Sequence, residues 1–331
     1  MKKHILLFTT LTLLASACQN QLDLGFEHDP ECLVMNALLN TNDENHSVYM
    51  SLSRFEGTLE VEDAQLRCYI NGTAVAEAEY VAPSYKPSYY SLTNSQYRFT
   101  ARIRPGDEVR LEATRGSLRA SATVVVPQAA AITAVDTTFV EKSPYFTNRE
   151  DGEGALACRL KLQDIPGQSN CYRLVTYYDY SNRFYDYTYR EKIGFGYLQD
   201  PILKDRFVPE QKKGNDLAAL FFMSRPNSYC TFRDGDFADG TAEVEIHIPE
   251  QYYNAPDEPD PDNRITRKFE YVLLSITQDE YDYLGQVDKS LNASSHLGRL
   301  EEPIRIPTNV EGGLGFVSVA SAATLSLTYD D

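Results

Sequence analysis

From residue 31 to residue 127, apolar and polar positions alternate with a period of two, in short runs cut by turn residues. Runs at 33–39, 48–53, 66–70, 97–101, 109–113 and 120–126 each read as a half-buried strand; Leu66, Cys68 and Ile70, for instance, share one face. Asn71-Gly72 directly after the third run predicts a tight hairpin, because both residues tolerate the positive φ of a type I′ turn. Arg104-Pro105-Gly106-Asp107 predicts a second turn. About seven such strands within roughly one hundred residues is the pattern of an immunoglobulin-like β-sandwich.

An Ala-rich stretch at 128–134 marks the expected domain boundary, and a larger β-rich domain, sandwich or barrel-like, is expected over 128–331. Its predicted strands lie at 134–140, 155–163, 172–180, 184–189, 242–248, 269–277 and 323–329. Thr277-Gln278-Asp279-Glu280 has the form of a capping box, and Tyr281, Leu284, Val287 and Leu291 follow at helical spacing, which predicts a helix. A shorter helix is expected at 216–223 and an extended acidic loop at 256–263. The expected fold class is therefore mostly β with one or two short helices.

The amino end carries a different pattern. Lys2 and Lys3 precede an apolar run over 5–14, and Ala15-Ser16-Ala17-Cys18 follows. A basic end, a short apolar run and small residues before a cut site make residues 1–17 a signal peptide. The run falls short of the ~20 apolar residues of a membrane span. Cys18 stands where the acylated cysteine of a bacterial lipoprotein stands, although Ala15 occupies the position where Leu is usual. Palmitate-type chains on Cys18 would exceed the two lipid signals that stable anchoring requires. Residues 18–30, polar and acidic, then read as a lipidated tether; Asp23, Glu27 and Asp29 within it leave the cell surface and the periplasmic face both open.

The formal charge is −17, and loss of Lys2 and Lys3 with the signal makes it −19. That balance excludes nucleic acid as a partner, since affinity there rests on Lys and Arg neutralising phosphates. Besides Cys18 there are Cys32, Cys68, Cys158, Cys171 and Cys230. The odd number leaves at least one thiol unpaired, and no CxxC spacing points to zinc or redox chemistry. Cys158 and Cys171 are near in sequence, but a hairpin around Pro166-Gly167 would place Cys158 opposite residue 176 and Cys171 opposite residue 163. A small buried hydrophobe is the role expected for these cysteines.

Catalytic chemistry finds little to stand on. His28, His46, His247 and His296 are scattered and lack HExxH-type spacing. Asp234, Asp236 and Asp239 before Gly240 suggest a calcium loop, yet the third Asp comes one residue late and position twelve, Glu245, falls in a predicted strand, so a turn is the expectation. No GxSxG elbow is present. Neither metal nor cofactor nor catalytic residue is therefore assigned. The candidate contact surface lies in the run from Tyr177 to Tyr189, where Tyr185, Tyr187 and Tyr189 would share one face of an extended strand. The competing reading is that these rings fill a core or pair across strands. With no Trp in the chain, a glycan-stacking platform is disfavoured. Gly312, Gly313 and Gly315 are expected to form a structural corner, with a contact loop as the alternative.

Several stretches in order resemble one family, the Bacteroidota outer-membrane lipoproteins grouped as domain of unknown function 4249. The resemblance runs through residues 33–39, 48–54 and 61–66, through Ser169-Asn170-Cys171-Tyr172-Arg173-Leu174, and through residues 232–240. It is most specific in Leu273-Leu274-Ser275-Ile276-Thr277, in Glu280-Tyr281-Asp282-Tyr283-Leu284, and in Asn309 with Gly313-Leu314-Gly315, the Asn-x-x-x-Gly-Leu-Gly mark of the family. Val317-Ser318-Val319 departs from the Phe and Gly that many relatives carry there. The resemblance implies an outer-membrane lipoprotein, often encoded beside a TonB-dependent transporter, and it carries no catalytic residues over. The expected function is a non-enzymatic binding or accessory subunit held to the membrane by lipid. The alternatives are an envelope enzyme acting on peptide or glycan through unrecognised carboxylates, and a cell-surface adhesion or assembly component.

Overall fold

The computed structural model describes residues 31–54, 57–85, 92–93, 96–144, 154–197, 200–203, 227–253, 265–293 and 305–330. The signal, Cys18, the tether, the short helix expected at 216–223 and the acidic loop at 256–263 lie outside these residues, as do His28 and His296.

The chain is mostly β-strand, in several sheets. In the first third run β1 (Cys32–Asn40), β2 (Asn45–Arg54), β3 (Gly57–Glu60), β4 (Gln65–Ile70), β5 (Thr73–Glu77), β6 (Glu79–Val81), β7 (Ser84–Tyr85), β8 (Leu92–Thr93), β9 (Gln96–Thr100), β10 (Glu108–Arg115) and β11 (Leu118–Val125). Alternation fixes which face each strand buries: Leu33, Met35, Ala37 and Leu39 of β1 are all inside. They meet Leu66 and Cys68 of β4 and Val109, Leu111 and Ala113 of β10 in one core between two sheets. One of these sheets has the order β11-β10-β4-β5; the other contains β1, β2, β9 and β6. The Asn71-Gly72 turn forms as expected, with φ of 51° and 79°, and Gly106 takes φ 86° in the Arg104–Asp107 turn.

Beyond it come β12 (Ala131–Val140), β13 (Ala155–Gln163), β14 (Cys171–Asn182), β15 (Tyr187–Ile193), β16 (Thr231–Arg233), β17 (Thr241–Pro249), β18 (Ile265–Ile276), the helix α1 (Gln278–Ala293) and β19 (Val317–Asp330). Strands β12, β13 and β17 make a separate three-stranded sheet. It packs through Leu156, Leu160, Val244 and Ile246 against Tyr172, Tyr178, Phe269 and Tyr271 of β14 and β18. Helix α1 covers the opposite face, where Leu284 meets Val175, Val272 and Leu274.

The hairpin around Pro166-Gly167 does not form: β13 and β14 belong to different sheets and never pair. The connection crosses between layers and is held by Asn170, whose amide donates to Asp164 Oδ1 and to the Ile165 carbonyl, both at 3.0 Å. Cys158 and Cys171 therefore face different cores. Cys68, Cys158 and Cys230 are free thiols, and they are buried, as is Cys171. Burial pushes Cys68 up to about 11, and Cys158 and Cys230 up to about 12, which leaves them as protonated packing groups.

One strand joins the two regions. β19 pairs antiparallel with β18 and parallel with β1, Ala37 standing opposite Val317. The result is a ten-stranded sheet with the path β15-β14-β18-β19-β1-β2-β9-β6, β16 pairing with β14 and β3 with β2 beside it; among the described residues it does not close. The glycine segment before β19 makes the seam. Its backbone bonds β1 through Met35 N to Leu314 O and Leu314 N to Leu33 O, each at 2.9 Å, and reaches β11 through Ser121 and Glu311. Contact is close enough to exclude side chains: a Cβ on Gly313 would lie 2.4 Å from Leu33 O, and one on Gly315 would lie 2.3 Å from Met35 O. Asn309 holds both backbone groups of Val317, accepting from its N–H at 2.9 Å and donating to its carbonyl at 2.7 Å. The glycines are thus a structural corner, the expected reading.

Helix α1 starts where the capping box places it, but half of the box is missing. Glu280 N donates to Thr277 Oγ1 at 3.1 Å, while the Glu280 carboxylate turns inward to 3.9 Å from Arg173. The buried stripe is accordingly Glu280 and Leu284; Leu291, expected on the inner face, is 61% exposed. Asp234–Asp236 form a 3-10 turn, with Asp234 accepting from Asn170 N. Asp239 and Gly240, at φ 51° and 73°, turn the chain into β17.

Candidate functional site

The β14–β15 hairpin gathers the candidate aromatic residues. Its register sets Tyr178 opposite Glu191, Tyr180 opposite Tyr189 and Asn182 opposite Tyr187, so these share one face. The other face pairs Asp179 with Arg190. There Arg190 bridges Asp179 at 2.9 Å and Glu270 of β18, and lies 4.5 Å over the Tyr177 ring. Lys268 adds a contact to Glu270 at 3.1 Å. Burial pushes the Glu270 carboxyl up, but Arg190 and Lys268 outweigh it and hold the pKa below the ordinary range. One face is charged and the other aromatic.

Tyr187 and Tyr189 sit on β15 as expected, but Tyr185 does not. Asn182 Oδ1 accepts from the backbone N–H of Phe184 and Tyr185, at 3.1 and 3.2 Å, and Asp186 takes φ 46°. This local capping ends β14 and turns residues 183–186 into the hairpin loop. Tyr185 therefore projects from the tip beside Phe184, the two rings 4.9 Å apart and edge-on. Phe184 is 61% exposed, Tyr185 70% and Tyr187 54%.

Below the tip the rings go progressively inward. Tyr187 lies 5.7 Å from Tyr189, Tyr189 stacks on Tyr180 at 5.3 Å, and both contact Tyr178, which is buried. Tyr178 touches Tyr252 and Phe269, each at 5.3 Å, and Phe269 meets Tyr329 of β19. The core reading of the tyrosine run thus holds for Tyr178, while the rings at the tip are exposed. The alternation within β14 could have separated Tyr178 and Tyr180 from Tyr177. Nothing local in the sequence announced Tyr252, which arrives from the 3-10 turn Glu250–Tyr252. Burial pushes Tyr178 up to about 12, so its phenol keeps its proton.

The tip also has a defined place along the molecule. Counting register from β1 through β19 and β18 to β14, the tip lies about twenty residues along the strand direction from Cys32, roughly 60 Å at the rise of a β-strand. It is the end remote from the point where the chain enters β1. Among the described residues no three His, Cys, Asp or Glu side chains converge as a metal site, and no helix is long and apolar enough to cross a membrane. His46 is buried, bonded through Nε2 to the Ala101 carbonyl at 2.9 Å, and His247 is buried against Ser143 at 3.0 Å.

A family model described as a domain of unknown function (DUF4249) matches residues 19–326. The chain belongs to this family. The match spans all three cores, the seam and the aromatic hairpin, and the Asn309 and Gly313-Leu314-Gly315 motif lies inside it. Membership carries a general assignment to the envelope lipoproteins. No curated protein is similar enough to the chain to match it. For DUF4249 the motif now has a physical meaning here: it is the clamp that seats the last strand on the first.

Proposed function

We propose that this DUF4249 protein is a non-enzymatic lipoprotein of the outer membrane, anchored through acylated Cys18, that serves as an accessory subunit to a TonB-dependent transporter. Residues 31–127 would act as an immunoglobulin-like unit and residues 128–331 as the β-rich unit that carries the contact surface. The observation that carries the reading is the exposed aromatic tip of Phe184, Tyr185 and Tyr187 resting on a buried stack of rings. Large, rigid rings at a protruding site lose little conformational freedom on binding and dominate interface energies. A tether of residues 19–30 reaches roughly 40 Å at full extension, less than the roughly 60 Å from β1 to the tip. With the body upright on its anchor, the tip stands away from that bilayer and towards a neighbouring protein. A chain of charge −17 also avoids an anionic lipid surface.

The test is affinity isolation of the lipidated protein from outer membranes in mild detergent. Wild type is expected to bring down a barrel transporter. Phe184→Ser with Tyr185→Ser and Tyr187→Ser is expected to lose it while keeping the wild-type melting temperature, because these rings lie above the core. Cys18→Ser is expected to release the protein from membranes. Absence of a transporter from the wild-type isolate overturns the reading, and so does its full retention by the triple variant.

A further inference from the structure

Among the described residues, the hairpin below the aromatic tip ends its sheet on an unpaired strand edge. β15 stands at one end of the ten-stranded path and pairs only with β14, position by position from Tyr187 opposite Asn182 to Ile193 opposite Thr176. No described strand or isolated bridge takes its other side. Tyr187 through Lys192 are all exposed, and only Ile193 turns inward. Edge strands are ordinarily blunted by a bulge, a proline or inward-turned charge. β15 has no register shift against β14 and no proline, and Arg190 at mid-strand is drawn onto the face of its own sheet by Asp179 and Glu270. Behind it, β14 pairs with β18 from Cys171 to Asn182, and β18 pairs with β19. The edge is therefore carried by a multi-stranded layer, not by a loose two-stranded ribbon.

The two faces of this edge specify what it takes. Tyr187 and Tyr189, 54% and 36% exposed, offer rings on one face, and Thr188 and Arg190 lie on the other. β-Branched apolar side chains pack well opposite rings across an antiparallel pair. Opposite Thr188 and Arg190 a small uncharged polar residue fits, because the guanidinium already serves two carboxylates. A strand that alternates apolar with small polar residues matches both faces at once, and main-chain hydrogen bonds supply its affinity. The edge begins directly under the exposed rings of Phe184 and Tyr185, so a partner that engages the tip meets it next. A second copy of this chain fits poorly. Two-fold pairing of β15 with itself runs antiparallel about an axis normal to the sheet, so of two upright bodies one would point its tip at the bilayer. We infer that the outer edge of β15 receives a strand of the partner protein, apolar and small polar by turns, in the antiparallel sense that is the more stable per residue. This pairing rests on the reading of the hairpin as the contact element and adds the means by which a partner is held.

Hydrogen exchange of the mature protein, read by mass spectrometry in the presence of the peptide acetyl-(Thr-Val)₃-Lys-amide, tests this. With about nine-tenths of the protein occupied, the outward amides of 187–192 are expected to exchange roughly tenfold more slowly, since they then exchange from the free fraction alone. Acetyl-(Thr-Glu)₃-Lys-amide is expected to give no protection. Peptides N-methylated at the Val or at the Thr positions are expected to differ roughly tenfold in affinity, because only every second amide faces β15. Sedimentation of the protein alone is expected to show a monomer. Strand addition is overturned if the Val peptide leaves 187–192 unprotected, if the Glu peptide protects them equally, or if the two N-methylated peptides bind alike. A dimer that protects these amides by itself gives the edge to a second copy and likewise overturns it. The accessory role fails separately: a transporter that co-isolates with wild type while 187–192 exchange as in the free protein leaves that role standing and removes only the added strand.

Discussion

Gly313 and Gly315 set the tolerance of the seam more tightly than their residue type alone suggests. A methyl group on either would fall within 2.4 Å of a β1 carbonyl oxygen, and the obstacle is backbone that already holds hydrogen bonds to Leu314 and Phe316. Gly313→Ala is accordingly expected to cost about 2–4 kcal/mol, as packing clashes in a core do. Gly72→Ala is expected to cost only about 1 kcal/mol, through its positive φ alone, because a Cβ there meets nothing within 4 Å. Urea titrations of the two variants read this difference directly.

At the scale of elements, α1 is seated by a buried acid where a sequence pattern looks for a leucine. Burial raises the Glu280 pKa against the opposing pull of Arg173, so folding favours the protonated carboxyl. Its contribution is complete below the ordinary glutamate pKa and is lost as pH climbs through the raised value. Wild-type stability measured against Glu280→Gln is therefore expected to decline as pH rises from the ordinary glutamate pKa towards the raised one; a flat or rising difference contradicts this seat for α1. The strands of the first third were legible because each alternates and ends in recognisable turn chemistry, as at Asn71-Gly72. The partners of β13 and β14 were not legible: adjacency in sequence favoured a hairpin, and the layer crossing depends on Asn170 and Asp164 meeting in space. Tyr187 and Tyr189 were readable from period two. Tyr185 was not, because Asn182 caps the strand three residues before it and puts it in the loop.

The whole molecule depends on its last strand. β19 supplies Val317 and Val319 to the first core and Ala320 to the layer under α1, and it pairs with both β1 and β18. Ending the chain at residue 316 is expected to remove cooperative unfolding of both regions rather than only the second, which a single denaturation curve followed by far-UV circular dichroism distinguishes from a residual folded sandwich. The protein would then unfold as a single cooperative unit despite its three apolar clusters.

That closure also has a consequence for biogenesis. A polypeptide delivered across a membrane from its amino end presents β1 first and β19 last, so one edge of the opening strand stays bare until nearly the entire chain has arrived. Bare edges recruit other strands, and pairing across so long a separation is slow. Newly exported molecules should need a holding chaperone through this interval, and prematurely terminated ones should be recognised and degraded by their unfilled flank.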